Sequence, residues 1–270
     1  MARLETQKVE CRRKKALLLS PSSFLLYTVF MPSALVTGSA KGIGKAILLA
    51  LAKHGYDVAV HYRRSHSEAQ EVATEAATFN VKTTVLQADV TRSDEATSLV
   101  QQAHDAFGRL DVLVNNVGNY HKGPLEQLTN EQWHEMFDSN LNAVFYTCQA
   151  AVPLMRGLDS KNQGGRIVNI GFAGAENLIA RPRSVAYVIA KTGVILYSKA
   201  LAKSEAVNNI TVNVVSPGVI ENSVSQPIED IPMKRTGTFD ELTSAVLYFL
   251  SPEARYVTGT NLQISGGWNL

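Results

Sequence analysis

From residue 33 onward, short apolar runs rich in β-branched residues alternate with longer stretches of helical period, and the short runs are apolar throughout rather than at every second residue. Strands of that kind must be covered on both faces, and parallel neighbours need a crossover between them, usually a helix. The runs are Ala34–Thr37, Asp57–Tyr62, Lys82–Gln87, Leu110–Asn115, Arg166–Ile170, Ile210–Val215 and Asn261–Ile264. The helical segments are Ile43–His54, Ser67–Phe79, Ser93–Phe107, Glu131–Val152, Ser184–Ala206 and Asp240–Leu250. Thr129–Gln132 and Thr238–Glu241 have the spacing of capping boxes at two helix starts. This alternation predicts a single doubly wound α/β domain, with a seven-stranded parallel sheet and helices on both faces. No internal repeat or linker divides it, and Glu221–Gly237 is its one irregular stretch, a loop or lid before the last helix.

The chain has 270 residues, 45% hydrophobic and 19% charged, which excludes a disordered chain, a collagen-like repeat and a multi-span membrane protein. Six basic residues against two glutamates in residues 1–15 account for more than the net charge of +2, so the remaining 255 residues carry −2. The body is therefore no nucleic-acid-binding surface. The basic start runs into Ala16–Phe30, an apolar stretch broken by Ser20, Pro21, Ser22 and Ser23. It is too short and interrupted to span a bilayer, its acids do not suit a transit peptide, and no small-residue cleavage site follows. The expectation is a domain over residues 31–270, with Met31 as the working start and residues 1–30 a disordered or mis-assigned extension. Two cysteines, Cys11 and Cys148, cannot build a disulfide framework, so a reducing, cytoplasmic setting is expected. The six histidines show no metal-ligand spacing, and no metal is expected.

Thr37-Gly38-Ser39-Ala40-Lys41-Gly42-Ile43-Gly44 follows the first strand and opens the first helix. Glycines there allow a tight turn and a close approach of backbone N–H groups to a pyrophosphate at the positive helix end. The second strand ends in Tyr62-Arg63-Arg64, where an acidic residue would accept the ribose hydroxyls of NAD. Lys41, Arg63 and Arg64 instead suit a 2′-phosphate, and so NADP(H).

Tyr187 and Lys191, four apart in a helical segment, share one face. An ammonium beside a phenol favours the phenolate, so the pair predicts a tyrosine whose pKa is drawn down toward the useful range.

Taken together, these motifs resemble the short-chain dehydrogenase/reductase family over residues 33–267. The glycine motif matches Thr37–Gly44, the adenine-side acidic dipeptide resembles Asp89-Val90, and Asn115-Asn116-Val117-Gly118 is similar to the family's Asn-Asn-Ala-Gly motif. Asn140 resembles the helical active-site asparagine, Tyr187 and Lys191 match Tyr-x-x-x-Lys, and Pro217-Gly218 matches the Pro-Gly motif. The resemblance implies a Rossmann-type fold and hydride transfer between NADP(H) and a carbonyl or alcohol. Tyr187 would be the proton donor, Lys191 would hold the ribose and tune Tyr187, and Asn140 would order a relay water. Implied cofactor contacts are Gly38, Ser39, Lys41, Gly42, Ile43, Gly44, Tyr62, Arg63, Arg64, Asp89, Val90, Asn116, Gly118, Tyr187, Lys191, Pro217, Gly218 and Ile220. Within the family the chain looks most like 3-oxoacyl-acyl-carrier-protein reductases. That implies a small-molecule or acyl-carrier-bound carbonyl substrate and a homotetramer built through the helices beginning near Glu131 and Ser184.

One departure stands out. The family's catalytic serine lies at the end of the fifth strand, where this chain reads Gly171-Phe172-Ala173-Gly174. Counting forward from Arg166 puts Phe172 in the serine place, whereas counting back from Tyr187 puts Gly174 there. With Tyr120, these two are the candidate substrate contacts. His61-Tyr62-Arg63-Arg64-Ser65 is also similar to pteridine reductases, and a non-catalytic NADPH-binding protein is a third reading. Trp133 and Phe137 are expected to pack rather than bind ligand, and Cys148 to be an inert buried thiol.

Overall fold

The computed structural model describes residues 31–156, 158, 164–223 and 225–270; the expectations for residues 1–30, Cys11 included, lie outside them. The strands are β1 (Ser33–Val36), β2 (Asp57–Tyr62), β3 (Thr83–Gln87), β4 (Val112–Asn115), β5 (Arg166–Ile170), β6 (Thr211–Pro217) and β7 (Asn261–Ile264). They form one sheet in the order 3-2-1-4-5-6-7, parallel at every pairing. The helices are α1 (Gly42–Lys53), α2 (His66–Ala77), α3 (Ser93–Phe107), α4 (Asn130–Phe137), α5 (Ala143–Arg156), α6 (Val185–Glu205) and α7 (Phe239–Leu250).

Alternate strand residues feed two cores. Ala34, Val36, Val58, Val60, Val112 and Val114 pack with α1, α2 and α7, while Leu35, Ala59, Leu113, Ile167 and Val212 pack with α3, α5 and α6. Burial on both faces is why the inner strands read as unbroken apolar runs, while the edge strands β3 and β7 are mostly half-buried. The apolar α6 is likewise a core helix, with Ala186, Val188, Ala190, Val194, Ile195 and Ala202 buried.

The capping boxes at Thr129 and Thr238 both form. The predicted helix Glu131–Val152, by contrast, is three pieces: α4, a π-helical turn over Asp138–Asn142, and α5, which continues to Arg156. The wider turn lets the Asn140 side chain reach back to the carbonyls of Met136 and Asn119, each 2.9 Å away. Such turns are a frequent mark of functional sites and leave no trace in hydrophobic period. Glu221–Gly237 is closed at its base by a bridge between Ile220 and Gly237 and carries a short turn at Ile228–Asp230. Strand order reverses between β1 and β4, and in such sheets the crevice outside the strands' carboxyl ends takes the ligand.

Candidate active site

The first element of the crevice is a loop that a side chain would block. Gly38 has φ +65° and Gly42 φ +55°, both in the left-handed region that glycine tolerates. A Cβ on Gly44 would stand 2.4 Å from the Gly38 carbonyl oxygen. The loop is tied down from two sides. Asn116 Nδ2 donates to the carbonyls of Thr37 and Gly38 at 3.0 and 3.2 Å, and Thr37 Oγ1 accepts from the amides of Asn116 and Val117. On the other side the Gly38 amide donates to His61 Nδ1 at 2.8 Å, while His61 Nε2 donates to the Ala88 carbonyl. Burial lowers the His61 pKa to about 4, so the ring stays neutral and its Nδ1 lone pair is free to accept. Helix α1 then begins with no side-chain cap and no acid in its first turn, leaving its amides to an anion.

Several expected cofactor contacts have side chains engaged within the protein. Ser39 is fully buried, and its hydroxyl accepts from the His61 amide at 3.0 Å. Ile220 lies in the core and its amide donates to Ser223 Oγ; Val90 is buried in the other core. The cations are not free either. Lys41 pairs with Glu68 at 2.6 Å, holding that carboxyl below its usual range, and Arg63 pairs with Asp89 at 3.4 Å. Arg64 is exposed beside them, and Tyr62 is buried with its hydroxyl 2.7 Å from His66 Nδ1. Gly218 passes so close to β7 that a Cβ would lie 2.9 Å from the Ser265 backbone.

Asn140, Tyr187 and Lys191 form a second cluster next to the glycine loop. Lys191 is buried and donates from Nζ to the carbonyl of Ile170, the last residue of β5, at 2.7 Å. Gly118 is the spacer between the others: a Cβ there would be 2.4 Å from Asn140 Oδ1 and 3.3 Å from Lys191 Nζ. Asn140 Oδ1 is buried without a hydrogen-bond partner, although its Nδ2 is fully engaged.

The tuning of Tyr187 differs from the expectation. Its pKa is raised, first by burial and then by Tyr120, and the Lys191 ammonium stands 5.9 Å from the ring centroid. Desolvation outweighs a cation that is turned toward Ile170 and is itself drawn down to about 8 by burial. In this state Tyr187 is a protonated phenol.

Rings surround that phenol. Tyr120 meets Tyr187 edge-on at 4.9 Å, Phe172 meets it at 5.2 Å, and Trp268 from the C-terminal tail meets Phe172 at 5.8 Å. The Arg181 guanidinium lies 5.6 Å from the Phe172 centroid and 5.7 Å from that of Trp268. Phe172 therefore faces the phenol, whereas Gly174 (φ +81°) faces the tail, where a Cβ would lie 2.6 Å from Asn269 Cβ. Trp133 stacks on Phe137, and Cys148 is fully buried with its pKa pushed up to about 12. Sequence reasoning missed His61, Arg181 and Trp268. His61 stood out only as part of a longer stretch and no motif marks Arg181 or Trp268; the contact of His61 with Gly38, and those of Arg181 and Trp268 with Phe172 and each other, reveal them.

A family profile described as enoyl-(acyl carrier protein) reductase matches residues 38–269. The 3-oxoacyl-acyl-carrier-protein reductase FabG of Staphylococcus epidermidis is 35% identical over 245 residues, covering 87% of this chain and 98% of its own. Among solved structures, a short-chain dehydrogenase of Burkholderia cenocepacia in complex with NADP is similar with a TM-score of 0.82 and 32% identity, over 88% of this chain and 98% of that one. A metagenomic blue fluorescent protein in complex with NADPH gives 0.82 and 30%, with the same coverages. That likeness runs along almost the whole domain, and the chain belongs to the short-chain dehydrogenase/reductase family.

Proposed function

We propose that this protein is an NADPH-dependent reductase that converts a carbonyl, of the 3-oxoacyl-thioester type, to an alcohol. The observation that carries the reading is the convergence of Tyr187, Lys191 and Asn140 beside a glycine loop that no side chain could occupy. The cradle, the uncapped start of α1 and the orphaned Asn140 Oδ1 fit a dinucleotide, and the NADP(H) complexes of two relatives support its phosphorylated form. When bound, NADPH supplies the hydride to the carbonyl carbon. The chain supplies the rest. Tyr187 donates its proton to the carbonyl oxygen, and its raised pKa keeps that proton in place beforehand. Lys191 gives one N–H to Ile170 and keeps two for the ribose hydroxyls. Asn140 Oδ1 offers a lone pair to a relay water. Lys41 and Arg63, exchanging their carboxylate partners for a 2′-phosphate, select NADPH over NADH.

Phe172 supplies no hydroxyl where the family has its serine. Losing one donor to a developing oxyanion costs a factor of about 10²–10³, so turnover of simple ketones is expected to be slow. The rings of Tyr120 and Phe172 around Tyr187 favour a flat substrate and support the second reading, a pteridine reductase. The assembly that fits is a homotetramer, since Phe145 on α5 and Ile189 and Leu196 on α6 are exposed apolar residues on its expected interface helices. The cytoplasm is the compartment that suits the reading. NADPH oxidation against β-ketoacyl thioesters, dihydropterins and simple diketones tests it. Thioester turnover supports the first reading and pterin turnover the second. Tight NADPH binding with no turnover would mean a non-catalytic binding protein. In the same assay NADPH is expected to bind at least ~10-fold tighter than NADH, and Arg63→Asp to erase the difference.

A further inference from the structure

Among the described residues, three arginines are at least partly buried: Arg109, Arg166 and Arg181. Two have oxygen acceptors. Arg109 forks onto the Asp111 carboxylate, and Arg166 donates to the carbonyls of Gly164, Gly165 and Asn209. Arg181 has no such acceptor. Its guanidinium lies over the rings of Phe172 and Trp268, and its Nε is sealed from water without a hydrogen bond. Two aromatic faces attract a cation, but they do not satisfy an N–H, and the one sealed N–H left unmet is costly. A guanidinium edge of this kind matches a carboxylate in two parallel bonds.

Its position is as telling as its pairing. Phe172 meets Arg181 and also meets the Tyr187 ring, so the cation stands one ring away from the proton donor. The arrangement is also held in place. The tail that carries Trp268 is fastened by Asn177 Nδ2 donating to the Asn269 carbonyl at 2.7 Å, and Gly174 leaves room for it to pass. The wall beside the proton donor is thus a ring that also carries a cation.

We propose that Arg181 is a substrate-recognition residue, which takes a carboxylate on the molecule whose carbonyl Tyr187 reduces. The substrate class is an oxo acid in which a flat or apolar spacer, lying along Phe172, separates the carbonyl from the free carboxylate. The inference rests on the carbonyl-reductase reading above. The chemistry balances as it does there: hydride from NADPH to the carbonyl carbon, proton from Tyr187 to its oxygen, with the carboxylate unchanged.

The test compares 4-acetylbenzoate with its methyl ester, two ketones of one shape that differ in charge. With NADPH and the wild-type protein, KM for the acid is expected to be about 10-fold to 100-fold below that for the ester. Arg181→Ala is expected to raise the KM of the acid to that of the ester and leave the ester unchanged, which also shows that the variant is folded. Arg181→Lys, with charge but no fork, falls between. Equal KM values in the wild type, or an Arg181→Ala change that affects both ketones alike, would overturn the proposal in favour of a purely structural stack. Should neither ketone be reduced, the reductase reading is what has failed on these probes, and calorimetric titration of 4-acetylbenzoate still decides the arginine. Saturable binding in the wild type that Arg181→Ala abolishes supports it, and no saturable binding in the wild type overturns it.

Discussion

The two sides of the crevice are built by different means. Around the ends of β1, β2 and β4 the surfaces are largely backbone, and the side chains of Thr37, His61 and Asn116 hold that backbone in place. Around the ends of β5 and β6 the surface is rings, with Tyr120, Phe172, Tyr187 and Trp268 arriving from four separated stretches of chain. A dinucleotide presents the same phosphates to every protein that binds it, and amides in a tight turn meet that need. A substrate is met by whatever side chains happen to converge, and these can change without disturbing the sheet.

That contrast breaks first at Tyr187. Tyr187→Phe is expected to cost a factor of about 10²–10⁴ in turnover with the NADPH Kd unchanged, read by steady-state kinetics and a fluorescence titration of the cofactor. Comparable loss of both would mean that the two sides are not separable. The converse variant is Gly44→Ala, whose Cβ cannot share space with the Gly38 carbonyl. Overpacking costs of about 1–3 kcal/mol translate into roughly a 10-fold to 100-fold loss of NADPH affinity, with the rings around Tyr187 undisturbed.

Serine substitutions sharpen the substrate side. Phe172→Ser restores a hydroxyl next to the phenol and is expected to raise the rate on a β-ketoacyl substrate about 10-fold. Gly174→Ser is expected to give no gain, and to lower stability to denaturant by about 1–3 kcal/mol as it displaces Asn269. A rate gain from position 174 instead would show that the backward count from Tyr187 was the right one.

The smallest effect lies in the pH dependence of stability. Burial lowers the Lys191 pKa from its ordinary value to about 8, so above pH 8 the unfolded chain holds a proton that the folded chain has released. Where the unfolded state binds more protons, stability rises with pH. The burial penalty is therefore full below pH 8 and relieved as pH rises toward 10. Denaturant midpoints of wild type and Lys191→Met, compared across that window, are expected to converge on this account. A constant gap would show that the ammonium is not desolvated as its burial indicates.

How much could be read in advance follows the same division. The β2, β5 and β7 boundaries and the α3 boundaries were legible to the residue, because apolar runs and turn residues encode them locally. So were both capping boxes. Asn140 was placed on a helix, but the π-helical turn that aims it was not, since a one-residue widening leaves the apolar period intact. Lys191 was paired with Tyr187 from spacing alone, yet its ammonium points at Ile170, a strand end that spacing cannot see. Lys41 and Arg63 were read as a waiting cationic pocket, and Glu68 and Asp89 hold them.

Local chemistry thus specified the sheet, the glycine loop and the pairing of Tyr187 with Lys191. In each case the determining constraint is carried by neighbours in the chain: an apolar run, a missing Cβ, a phenol one turn from an amine. The environment of that phenol was left to folding. Tyr187 is a reluctant acid because Tyr120 and Phe172 exclude water from it. Arg181 meets a ring rather than an oxygen acceptor in Trp268, 87 positions further along the chain. Desolvation is a property of everything that packs around a group, and no stretch of sequence contains its own surroundings.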